Sequence, residues 1–337
     1  MKKFEEICAM SQEELKKYLK KYLSSKGYKI IDENGFLYAT PKETPLRVLL
    51  VAHMDTVHHE RIKEIQKMPT VIGKKIETRV SSPQGIGGDD RCGIYMIMNL
   101  IKEHKVPVLF AEDEEKGCVG SSLFAKTKYC KELSNEIDYM IELDRRGNSD
   151  AVFYDCDNPE FTKWIETETN YKKAWGSFTD ICKLMPVAKV AGVNFSCGYY
   201  NAHTLNEYVV MEEMEHTQKM LSELLKKPAP QQFEFIEKKQ AFFGGYGNYG
   251  NYGSYGNRSW NDDWYDNYGY SYGTKQKKAK KKKISDEYVN LVVEIDEDIY
   301  GISELTSKGS TKPECWMNLF MEYDDLCFGY IINYYYE

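Results

Sequence analysis

Val48-Leu49-Leu50-Val51-Ala52-His53-Met54-Asp55 is a short apolar run that ends in an imidazole and a carboxylate. An unbroken run of this length reads as a strand buried on both faces, and such strands sit in sheets that helices cover. Val106 to Phe110, Tyr139 to Leu143 and Val187 to Val193 repeat the pattern. Helical spacing appears at Gly93 to Lys102, Pro159 to Glu168 and Met211 to Lys226. Nearer the start, Ser11-Gln12-Glu13-Glu14 reads as a capping box, followed by a stripe of Leu15, Leu19 and Leu23. Asn34-Gly35, between Tyr28 to Ile31 and Phe36 to Ala39, predicts a hairpin. Together these features predict an α/β fold, a mixed central sheet with helices on both faces.

The chain has 337 residues, of which 42% are hydrophobic, enough for one large domain and something smaller. No apolar stretch reaches the roughly 18 residues of a membrane span. Met1-Lys2-Lys3-Phe4-Glu5-Glu6 turns acidic where a signal peptide would be apolar, so a cytoplasmic protein with no membrane partner is expected. Nine scattered cysteines, an odd count without C-x-x-C pairs, fit reduced thiols. Composition breaks near residue 230. Residues 1–230 read as the main domain, 231–283 as a linker rich in Gly, Tyr and Asn and then in Lys, and 284–337 as a small acidic module with strands at Tyr288 to Ile295 and Phe328 to Tyr336. The linker lacks aliphatic residues to offset its ordering entropy, and it suits a tether, self-association or partner binding. Its lysine run reads as solvated chain, and with a formal charge of -7 nucleic acid is not an expected partner.

Five polar clusters lie at or just beyond the C-terminal ends of strands or strand-like turns, where ligands bind in open α/β sheets. They are His53 with Asp55, Asp89-Asp90 after a glycine-rich loop, Glu112 to Glu115, Asp144, and His203 after the strand expected at Val187 to Val193. Imidazole and carboxylate are zinc ligands, and two ions can share one carboxylate. His53, Asp89 and Asp144 can hold a first ion; Asp89, Glu115 and His203 can hold a second. Asp55 is placed to fix the His53 tautomer, and Glu114, next to a ligand but itself free, to carry a proton.

Ala52-His53-Met54-Asp55-Thr56, Gly88-Asp89-Asp90-Arg91-Cys92-Gly93, Asp113-Glu114-Glu115-Lys116-Gly117, Leu143-Asp144 and His203-Thr204-Leu205-Asn206-Glu207-Tyr208-Val209 resemble, in order, the metal motifs of the dizinc exopeptidase superfamily. That group holds aminopeptidases, peptidase T-like tripeptidases, dizinc carboxypeptidases and aminoacylases. The resemblance spans about residues 46 to 225. It implies two zinc ions, with cobalt or manganese as substitutes, Asp89 as the bridge, Glu114 as general base and a cis peptide link between Asp89 and Asp90. Gly176-Ser177-Phe178-Thr179-Asp180 looks like the superfamily's Gly-Gly-Thr-Asp substrate loop, which makes Thr179 and Asp180 candidate substrate contacts. Thr179 follows Asp144 by only 35 positions, too few for the inserted lid of tripeptidase and carboxypeptidase members. Oxyanion assistance then falls to other donors, with Tyr199 or Tyr200 as candidates.

Taken singly, each piece has an ordinary reading. A histidine is often a satisfied structural residue, Glu114-Glu115 a solvated pair, and Asp89-Asp90 a turn with a helix cap. The ordered set favours a metal centre. Arg145 has equal claims as receptor of a substrate carboxylate and as a structural ion-pair partner. His58, His59, His104 and His216 are expected at the surface. The expected activity is hydrolysis of a peptide or acyl-amino acid, most nearly as an aminopeptidase. Its rivals are deacylation and a scaffold whose exopeptidase core has lost turnover.

Overall fold

In the computed structural model the described residues are 2–43, 45–72 and 75–238, together with the backbone of three strands nearer the C-terminus. The chain divides into two compact units, Met1–Ala241 and Phe242–Glu337.

The first unit opens with helices α1 (Lys2–Cys8) and α2 (Gln12–Ser25). Both halves of the expected capping box form: Ser11 Oγ accepts the Glu14 N–H at 3.2 Å, and Glu14 accepts the Ser11 N–H at 3.0 Å. Strands β1 (Tyr28–Glu33) and β2 (Phe36–Pro41) make the hairpin around Asn34-Gly35. The deciding apolar run is β3 (Val48–His53), buried at every position. A second hairpin follows, β4 (Gln66–Ile72) with β5 (Lys75–Ser81), and leads into α3 (Gly88–Leu100). Next come β6 (Val108–Ala111), a single tight turn of helix at Glu114–Lys116, α4 (Val119–Ala125), α5 (Lys128–Glu136) and β7 (Tyr139–Arg145). Strand β8 (Asp150–Val152), α6 (Pro159–Thr169), β9 (Lys172–Ala174), α7 (Asp180–Ala188) and β10 (Gly192–Ser196) complete the main sheet with its helices. Short strands β11 (Tyr199–Tyr200) and β12 (Tyr208–Val210) precede α8 (Met211–Leu225).

The main sheet is mixed, in the order β1-β2-β6-β3-β7-β10-β8-β9. Its centre, β6-β3-β7-β10, is parallel, and antiparallel pairs flank it. Helices α3, α6 and α8 pack on one face and α4, α5 and α7 on the other. Burial of both faces is why the central strands read as continuous apolar runs and not as alternating ones. A smaller antiparallel sheet, β11-β12-β5-β4, stands beside it. No described helix is long and apolar enough to cross a membrane, and the described cysteines are free thiols.

Two expectations are corrected. The apolar stretch from Val187 is not strand throughout: α7 runs to Ala188, and the strand begins at Gly192. Leu184, Met185 and Ala188 are the buried face of that helix, so apolarity alone misassigned it. The first residues assigned to the linker also lie against the domain. Phe233 is buried, with ring centroids 5.0 Å from Phe161 and 5.2 Å from Trp164, and its N–H donates to the Asp138 carbonyl. The Tyr-rich repeat and the lysine run lie outside the described residues. In the second unit β13 (Val289–Ile295) pairs antiparallel with β14 (Glu304–Gly309) and β15 (Ile331–Tyr336).

Because Phe233 closes an aromatic cluster, Phe233→Ala is expected to cost about 3–5 kcal/mol of stability. Chemical denaturation checks this. A change below about 1 kcal/mol would mean that the domain is complete without this segment.

Candidate metal centre

The centre forms where the C-terminal ends of β3, β6 and β7 meet the smaller sheet. His53 ends β3 with a fully buried imidazole. Its Nε2 lies 2.9 Å from Asp89 Oδ1 and 3.7 Å from Asp144 Oδ1. Its Nδ1 lies 3.2 Å from Asp55 Oδ1, so Asp55 holds the ring by its far nitrogen. Asp55 also accepts the N–H groups of Glu114 at 3.0 Å and Glu115 at 3.1 Å, tying the β3 end to the turn after β6. His203 Nε2 meets Asp89 Oδ2 at 3.3 Å and Glu115 Oε2 at 3.2 Å.

Two sets of donor atoms result, His53 with Asp89 and Asp144, and Asp89 with Glu115 and His203; within each set the atoms lie within 4.8 Å of one another. Asp89 belongs to both, one oxygen toward each. The peptide bond between Asp89 and Asp90 is cis. Asp90 turns the other way and caps the start of α3, accepting the Gly93 N–H at 2.9 Å and the His53 N–H at 3.2 Å. Gly93 has no room for a side chain: a Cβ there would sit 2.3 Å from the Leu143 carbonyl oxygen, and this close approach seats α3 on β7 beside the ligands.

The donor chemistry fits zinc. Each set offers one imidazole and two carboxylates, and Glu115 Oε1 is buried without a hydrogen-bond partner, as a second ligating oxygen would be. The charges agree. Burial alone would raise the Asp89 carboxyl, yet the His203 and His53 imidazoles hold it well below the usual range. Hydrogen bonds to Asp89 and then Glu115 push His203 up to about 11. The imidazoles are standing in for cations among surplus carboxylates.

Asp144 is held at every polar atom. Thr179 Oγ1 donates to Oδ2 at 3.1 Å and Tyr199 Oη to Oδ1 at 3.0 Å. The Asn194 amide accepts the Asp144 N–H at 2.8 Å and donates to its carbonyl at 2.7 Å. Glu114 is mostly buried. Burial pushes its carboxyl up to about 7, His53 opposes this, and Asp180 adds to it.

The remaining candidates fall elsewhere. Tyr199 and Tyr200 are not free oxyanion donors, because their hydroxyls are engaged by Asp144 and, at 2.6 Å, by Glu213. Arg145 pairs with Asp150 at 3.1 Å, the structural one of its two readings. Thr179 reaches a ligand, and Asp180 is wholly buried, where it acts on Glu114 by its charge and is out of reach of a substrate. His203 comes from the loop between β11 and β12 of the smaller sheet, not from the end of a central strand. His59 and His216 are exposed as expected, but His58 bonds Glu207 and His104 bonds Ser222, both at 2.8 Å. Asn194 went unnoticed in the sequence, and Glu207 stood in the His203 motif without a role of its own. A polar residue inside the strand run Val193-Asn194-Phe195 was the available signal for the first.

Residues 37–179 match peptidase family M28. Over this segment, less than half of the chain, the sequence is similar to that family of peptidases. An aminopeptidase PepT from Bacillus cereus shares the fold with a TM-score of 0.51 at 13% identity, over 67% of this chain and 98% of that one. A tripeptidase from Staphylococcus aureus (TM-score 0.48, 12% identity, 66% and 96% coverage) and the TET1 peptidase of Pyrococcus horikoshii (0.46, 16%, 66% and 97%) are more distant matches. No curated protein matches the chain.

If the Tyr199 hydroxyl supports Asp144, Tyr199→Phe should weaken zinc binding about tenfold while leaving the circular dichroism spectrum unchanged. Competition with a chromophoric chelator measures this, and an unchanged affinity would free Tyr199 for another role.

Proposed function

We propose that this chain is an aminopeptidase-type exopeptidase that uses two zinc ions bridged by Asp89. The carrying observation is the pair of donor sets that share that one carboxylate. His53 and Asp144 complete the first set, Glu115 and His203 the second, and Asp55 orients His53. Held by these residues, zinc would supply Lewis acidity for activating water and polarising the scissile carbonyl. Glu114, carried on the same turn as Glu115, takes the proton of the attacking water and delivers it to the leaving nitrogen. Its burial favours this exchange, because a carboxyl raised toward neutrality both accepts and releases a proton.

Two features favour cleavage at the N-terminal end of a peptide. Arg145, the cation best placed in sequence to meet a substrate carboxylate, is committed to Asp150. The surplus of carboxylates suits an N-terminal ammonium. Phe178, Trp175 and Leu205 are exposed on the two loops that carry Thr179 and His203, and they favour an apolar side chain at the cleaved residue. Free, buried thiols suit a cytoplasmic setting.

Zinc-loaded protein should carry about two ions and release N-terminal residues from short peptides, apolar ones fastest. Glu114→Gln should keep its zinc and lose about 10²–10⁴-fold in kcat, with little change in KM. Release from the C-terminal end would reassign the specificity. Turnover of acyl-amino acids alone would make the protein a deacylase, and no turnover by the metal-replete protein would favour a scaffold.

A further inference from the structure

Glu207 is a carboxylate with no exposed surface, the last residue of the loop before β12 and far in sequence from the residues it touches. Its Oε2 accepts the Gly87 N–H at 2.9 Å and its Oε1 accepts the Asp89 N–H at 3.0 Å. The two oxygens therefore grip the backbone on both sides of Gly88, immediately ahead of the residue shared by the two donor sets. His58 Nε2 lies 2.8 Å from Oε2, placed to donate a third hydrogen bond. The His58 ring is itself fixed, since it lies flat against Gly85, where a Cβ would fall 2.2 Å from the imidazole. Thr56 Oγ1 accepts the His58 N–H at 3.3 Å and ties the arrangement back to the strand end that carries His53.

We infer that Glu207 is a positioning residue for the bridge, a buried clamp that fixes where Asp89 presents its two oxygens, with His58 holding the clamp. This rests on the metal-centre reading given above. A buried carboxylate is costly unless paired and hydrogen-bonded, and here its partners are two backbone amides and an imidazole. That choice of partners has a geometric consequence. Each N–H points at a separate carboxylate oxygen, so neither the Gly87 nor the Asp89 amide can move without losing a charge-assisted bond. Asp89 lies on the loop side of α3 with non-helical backbone, where the helix itself does not fix it. Glutamine in place of Glu207 has one acceptor oxygen and sets an NH₂ against the second amide, so one grip becomes a donor facing a donor.

The test is zinc affinity of apo protein, measured with a chromophoric chelator as competitor at a temperature well below unfolding, for the wild type, Glu207→Gln and His58→Phe. The inference predicts that Glu207→Gln weakens zinc binding about ten- to hundredfold and that His58→Phe weakens it less, about three- to tenfold, with far-UV circular dichroism unchanged. A purely structural role would lower the melting temperature of the apo proteins and leave zinc affinity untouched, and that result would overturn the inference. If Glu207→Gln does not fold, His58→Phe decides alone, and wild-type affinity in it would equally overturn the clamp. A wild type that binds no zinc would instead overturn the metal-centre reading itself.

Discussion

Crowding of like charge at one buried point governs this domain. Asp89 and Asp144 bring carboxylate oxygens to within 4.8 Å of the His53 imidazole, Asp89 and Glu115 do the same at His203, and Glu114 stands beside them. Two unit charges about 4 Å apart repel by about 4 kcal/mol even at an effective dielectric constant near 20. Several such pairs would compete with the whole stability of a domain, typically about 5–15 kcal/mol. Such a cluster persists when cations neutralise it. The backbone must also hold the carboxylates together against their repulsion.

The fold provides that restraint with hydrogen bonds and not with the ligands themselves. Asn194 binds both backbone polar groups of Asp144, and Thr179 and Tyr199 take its two oxygens. Asp55 ties the turn bearing Glu114 and Glu115 to the end of β3. These partners come from β10, α7, β11 and the β3 end, so the centre is fixed by two sheets and is not a property of one loop. Thr179 follows Asp144 by 35 positions, and the chain between them goes into β8, α6 and β9, which extend the main sheet beyond β10. Loops of the same domain place Phe178 and Leu205, both exposed, next to Thr179 and His203.

Much of this was legible because it is local in sequence. The parallel centre of the sheet showed as unbroken apolar runs, and every metal-site candidate but His203 stood at a run's end or in a glycine-flanked loop. What was hidden is what depends on distance. Val187 and Ala188 read as strand because a helix's buried face and a buried strand share the same apolarity over a few residues. The smaller sheet was missed because β4 is largely exposed and β5 is mostly half-buried, so neither shows an unbroken apolar run. The service of Tyr199 to Asp144, 55 positions away, and of His58 to Glu207, 149 positions away, has no signature within either segment.

The central claim is that Asp89 bridges two ions. Crystals of the protein grown with zinc, with diffraction collected on both sides of the zinc absorption edge, test it most directly. The account predicts two anomalous peaks about 3.5–4 Å apart, one beside His53 and Asp144 and the other beside Glu115 and His203, with one oxygen of Asp89 on each. A single peak away from Asp89, or no peak among these residues, would contradict it.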